Sequence, residues 1–113
     1  MDQKALELIG VRYEDGLHRF ADRPDLYEKY LIRFCNDPSF QSLRNAIDQK
    51  DYKNAFTYAH TLKGVSGNLS LGPLYESICK LTEELRGIPD DKRTVDLFHQ
   101  VEESYQSLVN VLR

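Results

Sequence analysis

Apolar residues recur along the chain at intervals of three and four, the spacing that lays side chains along one face of an α-helix. The pattern predicts seven helical segments and no strand with alternating polarity. Residues 2–10 (DQKALELIG) and 13–22 (YEDGLHRFAD) are short, the second with Leu17 and Phe20 three apart. Residues 23–37 place Leu26, Tyr30 and Phe34 on one face, joined by Tyr27 and Leu31, and Asp22 with Pro24 reads as a start signal. In residues 37–51 Asp37 is a candidate cap, Pro38 suits a first turn, and Phe40, Leu43 and Ile47 form the stripe. Residues 52–71 follow, with Asp51 as the predicted N-cap.

Gly72-Pro73 interrupts the chain ahead of residues 74–87, whose stripe is Leu74, Ile78, Leu81 and Leu85, with Gly87 as a stop. The linker IPDD leads to residues 92–113, with Val95, Phe98, Val101, Tyr105, Leu108 and Leu112 on the apolar side. Amphipathic helices joined by short loops predict an all-α fold, an antiparallel up-down helical bundle. Residues 1–113 read as one domain.

The segment AHTLKGVSGNLSLG departs from this regularity, because glycine inside a helix costs about 1 kcal/mol relative to alanine. On a wheel of about 100° per residue, Ala55, Ala59, Leu62, Ser66 and Leu69 gather on one side. His60 falls opposite, in solvent, with Gly64, Gly67, Lys63, Lys53 and Phe56 around it. Gly64 and Gly67 strip side chains from the surface beyond the imidazole and leave room for a bulky partner. Their combined cost of roughly 2 kcal/mol is a sizeable part of a small domain's stability, which a purely structural face would not require. Lys63 puts a positive charge where an anion on His60 would sit. Neutral imidazole is a nucleophile, so the set points to an exposed histidine that receives an anionic group.

His60, Leu62, Lys63, Gly64, Ser66 and Gly67 resemble the signature of the histidine-containing phosphotransfer (HPt) domain. That signature has an apolar residue two positions after the histidine, then Lys and Gly, with small residues beyond. Residues 10–34 and 74–87 also look like the corresponding regions of the family. The resemblance implies a four-helix bundle with one or two extra N-terminal helices. It implies a phosphorelay protein of two-component signal transduction, in which His60 takes a phosphoryl group from a receiver-domain phosphoaspartate and passes it to another receiver aspartate. Lys63 would stabilise the phosphoryl charge. Gly64, Gly67, Phe56, Lys53, Thr57 and Leu71 are the expected docking residues. Expected partners are response-regulator receiver domains and a hybrid sensor histidine kinase. The chain would be a phosphoryl carrier without its own ATP site or cofactor, with Mg²⁺ on the receiver. Ser70 stands where many members carry Gly, and serine there can cap the next helix.

Composition narrows the alternatives. The chain has 113 residues, 41% hydrophobic and 29% charged, and a net charge of −3. That balance gives no pull toward nucleic acid or anionic membrane. No apolar run approaches the ~20 residues of a membrane span, and residues 1–10 lack a secretory pattern. Cys35 and Cys79 are isolated, without metal-ligand spacing. A cytoplasmic monomer is the expectation. His18 and His99 read as surface or boundary residues. Two other classes stand beside the carrier: a docking module that sequesters a receiver without being phosphorylated, and an enzyme with His60 as general base. The enzyme lacks a sequence-adjacent carboxylate to orient His60, and a bundle surface is a poor pocket.

Overall fold

The computed structural model describes residues 1–112. Their secondary structure is helical: α1 (Gln3–Leu8), α2 (Tyr13–Arg19), α3 (Pro24–Asn36), α4 (Ser39–Asp48), α5 (Tyr52–Asn68), α6 (Gly72–Arg86) and α7 (Asp91–Leu112). No strand occurs among the described residues. Successive hairpins set α4 against α5, α5 against α6 and α6 against α7, and both α3 and α4 pack on α7, which closes the four-helix bundle. The short helices α1 and α2 cover one end.

Local chemistry explains the boundaries. Pro24 opens α3 with its φ already helical. Asp37, forced toward extended backbone by Pro38, separates α3 from α4, and its carboxylate accepts the Ser39 N–H at 2.8 Å. Asp51 caps α5 by accepting the Asn54 N–H. Asp22 does not cap α3 as the sequence predicts. It sits at φ 57° in a left-handed turn, with its carboxylate on the His18 ring.

The core follows the predicted stripes: Leu74, Ile78, Leu81 and Leu85 of α6 are buried, as are Phe98, Val101 and Leu108 of α7. One register differs. Val95 is exposed and Thr94 buried, because Thr94 lies one turn before Phe98 on the inward face. Phe40 of α4 stacks between Tyr105 (centroids 3.9 Å, planes 7° apart) and Phe98 (5.8 Å). The Tyr105 hydroxyl donates to the Cys35 carbonyl at 2.8 Å, so the α3–α4 break is clamped to α7.

A second clamp fixes the N-terminal helices. Tyr27 of α3 is fully buried, with its ring against Tyr13 and Phe20 and its hydroxyl donating to the Leu69 carbonyl at 2.7 Å. Gly16 of α2 lies directly on that ring, and a Cβ there would come within 2.4 Å of it. Gly10 (φ +94°) and Gly72 (φ +33°) meet backbone to backbone where the α1–α2 turn presses on the start of α6. These contacts seat α2 beside the end of α5.

Candidate functional site

Helix α5 buries Ala55, Ala59, Leu62 and Ser66 and turns His60 to solvent. One turn earlier, the half-buried Phe56 holds its ring nearly parallel to the imidazole, 16° off with centroids 6.0 Å apart. The Arg86 guanidinium of α6 stands over the Phe56 ring, 5.4 Å from its centroid. One turn beyond His60 the surface is bare, since a Cβ built on Gly64 meets no atom within 4 Å. The half-buried Lys63 forms no ion pair among the described residues.

His60, Lys63, Gly64 and Gly67 line one surface groove of about 580 Å³ together with Arg12 at the N-cap of α2, Arg19 of α2, and Tyr75 and Glu76 of α6. Asp15 lies on its wall. The Ser70 hydroxyl, and after it Arg19 at 3.2 Å, hold the Asp15 carboxyl below the usual carboxylate range. Arg19 is thereby steadied, and Arg12 forms no ion pair among the described residues.

Three expectations change. Leu71, predicted at the docking face, is 2% exposed and belongs to the core. Helix α5 ends at Asn68 and Ser70 turns left-handed (φ 57°), so the helical phase no longer governs Leu71. Ser70 does not cap α6: its hydroxyl goes to Asp15, and no side chain caps that helix. Gly67 is not bare surface, because the Tyr75 ring fills the space and a Cβ would stand 3.0 Å from Tyr75 Cε1. Lys53 and Thr57 are exposed farther up α5, outside the groove, with the Thr57 hydroxyl donating to the Lys53 carbonyl at 3.4 Å. Arg12 and Arg19 escaped the sequence reading, which had no signal that α2 lies beside the turn after α5.

Residues 36–111, which cover α4 to α6 and nearly all of α7 and include His60, match the model of the Hpt domain family. The chain belongs to the Hpt domain family. No curated protein and no solved structure matches it significantly. Hpt domains are phosphocarrier modules of two-component signalling rather than catalytic enzymes, and they interact with response-regulator receiver domains. The Hpt match begins at the last residue of α3, so α1, α2, Arg12 and Arg19 lie outside it. No helix among the described residues is long and apolar enough to cross a membrane.

Proposed function

We propose that this Hpt domain relays phosphoryl groups between receiver domains through His60, with residues 1–113 acting as one cytoplasmic, monomeric unit. The observation that carries the reading is the exposed His60 with Lys63 and the vacancy at Gly64 on its open side. A neutral ring nitrogen, Nε2 being the one farther from the backbone, attacks the phosphorus of a receiver phosphoaspartate. The P–N bond forms as the acyl P–O bond breaks, and the aspartate leaves as a carboxylate. The Nδ1 proton stays on the ring, and the reverse sequence delivers the phosphoryl group to a second aspartate.

Such transfer depends on positioning and charge stabilisation. Lys63 neutralises charge on the transferring group, Gly64 admits the donor, and Phe56 restricts the tilt of the imidazole. Lys53 and Thr57 contact the partner at its edge. Phosphoryl groups originate from a hybrid sensor kinase, and Mg²⁺ is held by the receiver.

The test is incubation with a phosphorylated receiver domain while following intact mass, with His60→Gln in parallel. A gain of one acid-labile phosphoryl group, lost in His60→Gln at unchanged helical circular dichroism, is the expected result. Binding without any mass gain would make the protein a sequestering docking module.

A further inference from the structure

The groove beside His60 is built by two parts of the chain. One is the family-matched bundle, and the other is α2, which lies outside the match. Helix α2 and its N-cap residue bring two basic side chains, Arg19 and Arg12, to the groove that Lys63 already lines. Asp15 and Glu76 offset them only in part, since three basic side chains, Arg12, Arg19 and Lys63, face two carboxylates there. Asp15 is shared between Ser70 and Arg19, and Arg12 has no ion-pair partner among the described residues. The chain carries a net charge of −3, so a cationic groove at this point runs against its average.

Helix α2 is tied to the rest of the chain at three points. Gly16 seats it on the buried Tyr27 ring, the Arg12 N–H donates to the Ser70 carbonyl at 2.9 Å, and Asp15 closes the link to Ser70. The arginines therefore stand on the wall of the groove that His60 lines. The donor's reacting centre is itself anionic: an acyl phosphate before transfer, a free carboxylate after it. Guanidinium forks match both oxyanions and stay charged at every working pH.

We infer that Arg12 and Arg19 form the cationic half of the docking surface, recognise anionic groups flanking the donor's phosphoaspartate, and thereby determine which receiver domains exchange phosphoryl groups with His60. This rests on the carrier reading above. Charges at the edge of an interface act mainly on association rate and its salt dependence. Added salt screens them.

The experiment compares two donors on the same protein. Phosphoramidate is a small donor with no docking surface: its P–N bond breaks, ammonia leaves, and His60 takes the phosphoryl group. The second donor is a set of receiver domains from the protein's own genome, preloaded with acetyl phosphate. The readout is the ratio of receiver-driven to phosphoramidate-driven labelling. In Arg12→Ala/Arg19→Ala this ratio is expected to fall by more than about tenfold, and receiver transfer should lose most of its salt dependence. Arg12→Lys/Arg19→Lys should recover much of the ratio. Lys92→Ala/Arg93→Ala, the same change in net charge at the start of α7, should leave it at the wild-type value. Arg12→Glu alone repeats the test if the double variant loses helical signal. A wild-type ratio in the alanine variant, with labelling intact from both donors, overturns this inference and leaves the carrier reading standing. Failure of wild-type protein to take label from either donor overturns both.

Discussion

Gly64 and Ser70 show how single residues trade stability for placement. Gly64 sits mid-helix with open space around it, so alanine gains helix propensity without a clash. Gly64→Ala should raise stability by about 1 kcal/mol in urea denaturation. Gly64→Glu should keep the fold and block receiver transfer by bulk and charge; wild-type transfer in that variant would remove Gly64 from the docking surface. Ser70 holds a left-handed backbone that disfavours any Cβ, offset by its hydroxyl bond to Asp15. Ser70→Ala keeps the strain and loses the bond, whereas Ser70→Gly loses both. The glycine variant should therefore be the more stable of the two by roughly 1 kcal/mol. The exposure of His60 and the bareness at Gly64 were legible in the sequence because both depend only on helical phase within α5. Leu71, Ser70 and Gly67 were not. Their surroundings depend on a chain reversal and on a ring from α6, which local periodicity does not encode.

At the scale of elements, the docking of α2 matters most. All seven helical segments could be read from apolar spacing, since each carries its own stripe and most carry a Pro, Gly or Asp signal at an end. Their packing partners could not. Nothing local in residues 12–19 tells that Gly16 rests on Tyr27 or that Arg12 and Arg19 reach the groove. Gly16→Ala tests that contact, because its Cβ would overlap a fully buried ring whose hydroxyl is engaged by Leu69. Overpacking of this kind costs about 1–3 kcal/mol, read as a lower urea midpoint. A midpoint equal to wild type would show that α2 is not seated on Tyr27.

Across the whole molecule, pH should bound stability from both sides. Hydrogen bonds from Ser70 to Asp15, from Ser39 to Asp37 and from Tyr52 to Asp91 hold these carboxyls below their ordinary range. Their contribution is present above the unfolded carboxyl pKa near ~4 and is lost as pH falls through the folded values. Burial raises the Tyr13 and Tyr27 phenols, and the hydrogen bond to Asp91 pushes Tyr52 up to about 12. That contribution is present below the unfolded phenol pKa of ~10 and is lost as pH climbs through the folded values. Urea midpoints should form a plateau from about pH 5 to 9 and decline on either side. Midpoints that keep rising below pH 4 would contradict these pairings.

The chain has three histidines, and only His60 is expected to carry the phosphoryl group. His18 is turned to Asp22 and His99 is exposed on α7, away from the groove that His60 lines. The most direct measurement is site mapping of the receiver-phosphorylated protein by mass spectrometric fragmentation at neutral pH. The phosphoryl group is expected on residue 60 alone. Phosphoryl on His18 or His99, or on an acid-stable hydroxyl, would contradict the central claim.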